Sequence, residues 1–338
     1  MPLSCRLGKS ACVLACLACV LSICRAQTST EYRYFRVGNP TDAVTKTQPG
    51  FALIGGGKDL DPAFLWMCER SGGGDFLILR ATGTDAYNPY VQKLCRVNSV
   101  ATLVIPNAAA AGDAFVAETI RKAEAIFISG GDQANYINFW QNTPVQKSLN
   151  DAIHKGVPIG GTSAGLAVQG EYIYSAQHDP PDGPDLTSKL TLANPFHPRI
   201  VIAHNFLDDP ALLRTITDTH FVTRDRMGRL LTFMARISAA HQDAAVKGIG
   251  VDEQTAVLME PDGYATIVGR SAAYFVMVSA KNAIVKENTP LSLPSVTVKK
   301  AIQGAKFDLN SWSGDTVDYQ LHVDQGAIRS TQLTGKIY

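Results

Sequence analysis

Pro158-Ile159-Gly160-Gly161-Thr162-Ser163-Ala164-Gly165 is the stretch on which the reading of this 338-residue chain turns. Val157 to Gly160 reads as a short strand, and Leu166-Ala167-Val168 continues as an apolar helical run. Gly161 to Gly165 therefore spells G-x-S-x-G at a strand-to-helix turn. Small residues on both sides of Ser163 prevent clashes at the strained backbone angles of such a turn, which lifts a serine Oγ clear of a sheet edge. The Ala164 amide and the N-terminus of the helix can then face a developing oxyanion. The same letters also suit a glycine-rich turn without chemistry, and the stretch by itself does not choose.

Working outward, similar units recur. Phe51-Ala52-Leu53-Ile54 stops at Gly55-Gly56-Gly57, and residues 60–70 follow at helical spacing. Residues 75–80, 100–105 and 125–128 are further short apolar runs ending in Thr, Gly, Pro, Ser or Asp, with helical patterns over 114–123 and 134–155. Buried strands alternating with helices predict βαβ units, a parallel sheet covered on both faces, and a ligand site beyond the strands' C-terminal ends. Residues 179–192 read as an exposed loop from their Pro, Gly and Asp content. Residues 208–217 and 227–242 read as helices. From Gly248 the pattern turns β-rich, and the tail from Pro290 reads as less regular, packing on the sheet edge. With no repeat and no clear linker, residues 27–338 read as a single domain.

Residues 1–26 read differently. Arg6 and Lys9 precede an apolar run from Ala11 to Ile23, and Cys24-Arg25-Ala26 places small residues at −3 and −1 of a cleavage site. This predicts a secretory signal peptide cut after Ala26, the alternative being an uncleaved anchor. No other apolar run is long enough to cross a membrane. Cleavage would remove five of the seven cysteines, leaving Cys68 and Cys95 as a disulfide or as two buried thiols. It would also remove Arg6, Lys9 and Arg25, taking 31 Lys and Arg to 28 against 30 Asp and Glu, a formal charge of −2. Without a basic surplus, neither nucleic acid nor an anionic membrane is an expected partner. With 46% hydrophobic and 18% charged residues, the chain suits a soluble globule with a sizeable core.

A serine nucleophile needs a base. His154, His178, His197, His241 and His322 fall on helices, loops or the tail, leaving His204 and His220. His220 precedes Arg224, Arg226 and Arg229, a spacing that serves either an anion pocket or a solvated helix start. Upstream, Ser129-Gly130-Gly131-Asp132-Gln133 ends the preceding strand pattern. Gly131, with no side chain in the way, offers a second oxyanion N–H beside that of Ala164. The plain alternative is a turn with Asp132 capping a helix, and both can hold together.

Four motifs in order, SGGDQ, GGTSAG, the segment Asp218 to Arg229 and Gly248-Ile249-Gly250-Val251-Asp252-Glu253, resemble cyanophycinase and the serine peptidases related to aspartyl dipeptidase E. The resemblance covers roughly residues 51–278. It implies a three-layer, doubly wound, mostly parallel sheet of the flavodoxin-like kind, similar to class I glutamine amidotransferases with serine replacing their cysteine. It implies Ser163 as nucleophile and His220 as base. It implies a substrate pocket shaped by Gln133, Asp218, Thr219, Arg224, Arg226 and Arg229, the guanidinium groups holding carboxylates and Asp218 receiving a cationic substrate arginine. It also implies a homodimer. Separately, the His and carboxylate positions show no ligand spacing such as HExxH, so no metal and no cofactor is expected. Thr219 departs from the family's glutamine. The triad acid is normally a Glu after the nucleophile helix, and none lies between Glu171 and Glu253. An Asp is therefore expected: Asp182 by distance, with Asp185 and Asp179 close behind and Asp252 as an outside candidate.

The leading expectation is a secreted serine exopeptidase or isopeptidase cleaving aspartyl linkages in cyanophycin-like or β-Asp-Arg peptides. The competing expectations are an α/β-hydrolase esterase using His322, and a catalytically inactive secreted binding protein of the same fold.

Overall fold

The computed structural model describes residues 31–180, 183–241, 245–279 and 281–338. The expected signal segment, residues 1–26, and Asp182 lie outside the described residues. Six strands open the order: β1 (Arg33–Gly38), β2 (Phe51–Ile54), β3 (Asp75–Arg80), β4 (Ser99–Val104), β5 (Ala125–Ile128) and β6 (Ile159–Thr162). Of these, β4-β3-β5-β6-β2 lie side by side and parallel, with β1 added antiparallel to β4. The five parallel strands are the predicted apolar runs, whereas β1 is not among them; β2, β4 and β5 are buried along their whole length because helices cover both faces.

The two faces are separated by the alternation of side chains along each strand. Ala52, Ile54, Phe76, Ile78 and Phe127 meet α1 (Asp61–Arg70) and α2 (Tyr87–Leu94) through Phe64, Met67 and Val91. Leu53, Leu77, Leu79, Ile126 and Ile128 meet the opposite layer. That layer contains the short α3 (Ala108–Ala111), α4 (Ala114–Arg121), α5 (Gln133–Trp140) and α6 (Pro144–Lys155). A disulfide joins Cys68 in α1 to Cys95 just after α2, deciding between the two readings of these cysteines. The helix expected over 134–155 is two helices. Thr143 caps α6 by accepting from the Val145 amide, and Pro144 takes the first helical position, where no N–H is required.

The expectation of one mostly parallel sheet holds only for this first half. After α7 (Ala164–Ala167) come β7 (Tyr172–Tyr174), α8 (Ser188–Ala193), β8 (Ile202–His204), β9 (Thr215–Asp218), α9 (Met227–Ala240) and β10 (Lys247–Val251). Then follow β11 (Thr255–Met259), β12 (Tyr264–Gly269), β13 (Ala272–Val278), β14 (Leu293–Ile302), β15 (Lys306–Asp308), β16 (Ser313–Gly314), β17 (Val317–Asp324) and β18 (Ala327–Ser330). Strands β11, β12, β15 and β16 extend the first sheet antiparallel to ten strands. A second, eight-stranded sheet runs β18-β17-β14-β13-β10-β9-β7-β8. The α/β class stands, but as two mixed sheets.

Three local expectations are corrected. Residues 208–217 are not a helix: a single 3-10 turn, Pro210–Leu212, leads into β9, whose Thr-Ile-Thr is β-branched and pairs in parallel with β10. The loop expected to run to Leu192 ends earlier, where Thr187 caps α8 and Leu186 and Leu192 are buried. The tail is regular strand rather than irregular, although it does lie at the sheet edges.

Candidate active site

Two parallel pairings bring the candidate residues together. In the first sheet β5 and β6 are neighbours, with Ile128 opposite Gly161, so Ser129-Gly130-Gly131 and Ser163 emerge at the same C-terminal edge. In the second sheet β9 and β10 are parallel neighbours, with Asp218 opposite Gly250. His220 and Glu253 each stand two residues beyond the end of their strand, on that edge too.

Ser163 sits at φ 52°, ψ −117°, the strained geometry expected of a serine on a sharp strand-to-helix turn. Neighbouring glycines make the turn feasible. A Cβ on Gly165 would lie 2.0 Å from the Ile128 carbonyl oxygen, and one on Gly161 2.4 Å from that of Gly165. Ser163 Oγ lies 2.7 Å from His220 Nε2, and His220 Nδ1 lies 2.5 Å from Glu253 Oε1. An imidazole carrying its proton on Nδ1 donates to the carboxylate and leaves Nε2 to accept from the serine. Burial pushes the His220 imidazole below its ordinary value, Glu253 opposing and Arg224 and Arg226 reinforcing, so the neutral base prevails near neutral pH.

Gly55-Gly56-Gly57, which the sequence presents as a strand stop, forms the wall behind this line. The His220 amide donates to Gly55 O at 2.8 Å, and Gln254 N donates to Gly56 O at 2.9 Å. Gly56 has φ +107°, and a Cβ there would fall 2.5 Å from His220 Cε1 and Nε2. A Cβ on Gly57 would fall 2.9 Å from Glu253 Cβ and Oε2.

The carboxylate that meets His220 is thus Glu253 rather than an aspartate from the segment after the nucleophile helix. Its signal was the D-E pair ending the Gly248 to Glu253 motif. The linear order hid that β10 lies beside β9. None of the described aspartates proposed for that role reaches His220. Asp252 accepts from the Val222 and Thr223 amides and from Ser271 Oγ, bracing the turn after His220. Asp179 pairs with Arg199, and Asp185 with Arg224 and Arg226.

A pocket of about 270 Å³ opens beside Ser163, lined among others by Gly131, Gln133, Ala164, Thr219, Arg224, Arg226 and Arg229. Asp218 is not available to a ligand as the resemblance implied. It is 3% exposed and takes a bidentate contact from Arg229, Nε at 2.7 Å and Nη2 at 2.5 Å. Thr219 uses both its carbonyl and its Oγ1, each 3.0 Å from Arg226 Nη1, to hold that arginine. Gln133 reaches the Tyr174 carbonyl at 3.4 Å. His322, the base of the esterase expectation, is exposed on β17 and lies against the Pro294 carbonyl. A larger hollow of about 420 Å³ lies by Asp75 and Ser99 at the N-terminal ends of β3 and β4; Ser99 Oγ donates to Asp75 Oδ1 there at 2.6 Å, and its lining holds no histidine. Among the described residues no group of His, Cys, Asp and Glu is arranged to hold a metal.

The model of peptidase family S51 matches residues 53–267, a span holding Ser163, His220 and Glu253. The chain belongs to peptidase family S51. Within the family, it is 28% identical to a cyanophycinase of Synechococcus elongatus over 256 residues, covering 72% of this chain and 73% of that one. It is 27% identical to a cyanophycinase of Trichormus variabilis over 199 residues. That match takes in 57% of this chain and spans 60% of the relative's length. A peptidase from an acI-B1 Actinobacterium superposes with a TM-score of 0.49 at 15% identity, over 78% of this chain and 98% of that one, a likeness too distant to specify the fold.

Proposed function

We propose that this family S51 chain is a serine-type exopeptidase or isopeptidase that hydrolyses aspartyl linkages of the cyanophycin or β-Asp-Arg type. The observation that carries the reading is the unbroken line Ser163 Oγ, His220, Glu253 at 2.7 and 2.5 Å. His220 takes the Ser163 proton as Oγ attacks the scissile carbonyl, and Glu253 stabilises the imidazolium that forms. The Gly131 and Ala164 amides, both in the pocket wall, receive the oxyanion. His220 then gives its proton to the leaving amine, and a water activated the same way releases the acyl group from Ser163.

The inactive-binder reading rested on a missing glutamate and on Thr219. Glu253 removes the first ground, and Thr219 is engaged in holding Arg226. The five parallel strands with a serine turn at their edge support the finer fold reading, a class I glutamine amidotransferase-like core. The Cys68–Cys95 disulfide supports passage through an oxidising compartment, in keeping with the secretory signal expected over residues 1–26. The implied homodimer is testable by light scattering of the purified protein.

The deciding experiment measures arginine release from cyanophycin and β-Asp-Arg by the protein and by Ser163→Ala. Turnover that survives Ser163→Ala, or a protein inert toward both compounds, would refute the assignment.

A further inference from the structure

Each basic side chain around the pocket is already matched by an acid of the chain itself. Arg229 is bound by buried Asp218, and Arg199 by Asp179 at 2.6 Å. Arg224 Nη1 and Arg226 Nη2 both donate to one oxygen, Asp185 Oδ2, at 3.0 and 2.5 Å. Asp185 differs from Asp218 in being movable. Its side chain is 48% exposed where that of Asp218 is 4% exposed, and it comes from outside the strand and turn that carry the arginines.

The backbone on either side of Asp185 is nevertheless tied down. The Pro184 carbonyl accepts from Arg199 Nη2 at 2.8 Å, and the carbonyl of buried Leu186 accepts from Arg229 Nη1 at 3.3 Å. Side-chain rotation can therefore take the Asp185 carboxylate off the arginine pair without moving the chain. Burial works against its ionisation, but Arg226 and Arg224 outweigh that and hold the carboxyl down at about 2. It is charged throughout the neutral range. One carboxylate bridging two guanidinium groups, a few side chains from a nucleophilic serine, is how such a pocket would grip the anionic group of a ligand.

We propose that Asp185 occupies the carboxylate position of this pocket from within, and so determines specificity: a ligand that places a carboxylate on Arg224 and Arg226 must displace it. A ligand with a neutral group at that place need not. For its substrates the proposal rests on the peptidase reading above, whereas the competition itself does not. The opposing view makes Asp185 a strut that keeps the arginines in place, in which case its removal weakens anion binding.

The test has two arms. In the first, succinate is titrated into the protein, Asp185→Asn and Asp185→Ala, and binding is read by calorimetry. At least tenfold tighter succinate binding is expected in both variants, and adding Arg226→Gln should abolish the gain. In the second, KM is compared for β-Asp-Arg and for its counterpart with the aspartyl α-carboxylate converted to a carboxamide. Asp185→Asn should lower KM about tenfold for the carboxylate and less than twofold for the amide. Unchanged or weaker succinate binding in both variants, or an equal KM change for the two substrates, would overturn the proposal. If succinate binding tightens while neither protein cleaves β-Asp-Arg, the competition stands and the aspartyl-peptidase reading falls.

Discussion

Ser163, His220 and Glu253 differ in how each announces itself. The tight turn at Ser163 is legible from its small neighbours, but its reading as a nucleophile needs Ser129–Gln133 before it and Asp218–Arg229 after it. His220 is legible through the arginines that follow, although these turn out to be held by Asp218, Asp185 and Thr219. Glu253 is not legible by distance in sequence, because its nearness to His220 comes from strand pairing. If Glu253 orients the imidazole, Glu253→Gln should lower kcat by about 10²–10⁴-fold with little change in KM. A steady-state comparison on β-Asp-Arg checks this, and a loss under twofold would point to another acid. The pH profile carries the same logic. Because burial lowers the His220 value, kcat/KM should rise through an acid limb centred below 6.5 and then hold level as neutral imidazole prevails. Glu253 favours the charged ring, so Glu253→Gln should move the limb further down. A limb that moves up instead contradicts the assignment.

At the scale of elements, the site depends on short loops that admit no side chains. The Gly55–Gly57 loop leaves β2 and lies directly against His220 and Glu253. Gly56→Ala meets two obstacles together, a left-handed φ of +107° and a methyl 2.5 Å from the imidazole. It should cost at least about 10²-fold in kcat, since a displacement near 1 Å at a reacting centre costs about that much. An unchanged circular dichroism spectrum would separate this from unfolding, and near-normal turnover would mean the ring has room to move. The turn from Asp218 to Arg229 is braced in the same way. Tyr338 Oη accepts from the Met227 amide at 2.9 Å and donates to Asp225 Oδ1 at 2.9 Å. Its ring meets Phe221 and Tyr274 edge-on.

Two features act on the whole molecule. The Cys68–Cys95 bridge closes a loop of 27 residues between two helices on one face of the sheet. Chain-entropy reasoning gives it about 3–4 kcal/mol, so Cys68→Ser should lower Tm by several degrees. Calorimetry would check this, and an unchanged Tm would mean the bridge is energetically idle. Asp209 lies 4% exposed under the 3-10 turn, one oxygen bonded to the Ala211 amide and the other, Oδ2, without a partner. Burial pushes its carboxyl from 3.8 up to about 7, so the folded state favours the neutral acid. The resulting stabilisation is complete below about pH 4 and is lost as pH rises through 7. Asp209→Asn should flatten that slope and raise Tm at pH 8 relative to the parent. Parallel Tm against pH curves for the two proteins would exclude this role.

The sequence by itself determined the parallel β2 to β6 block and the serine turn at its edge, because burial on both faces and tight turns write their demands into consecutive residues. It also carried the base, through the four ordered motifs. It did not separate α5 from α6, although the Thr143-Pro144 signal was present, and it took β9 for a helix because an apolar run of that length fits either period. Only the tertiary structure decided which acid meets His220, that Asp218 is engaged by Arg229, and that Asp185 sits on the remaining arginine pair. Each of those facts depends on which strand or segment lies beside which. That is a long-range choice fixed by packing two sheets together, and no local pattern of residues records it.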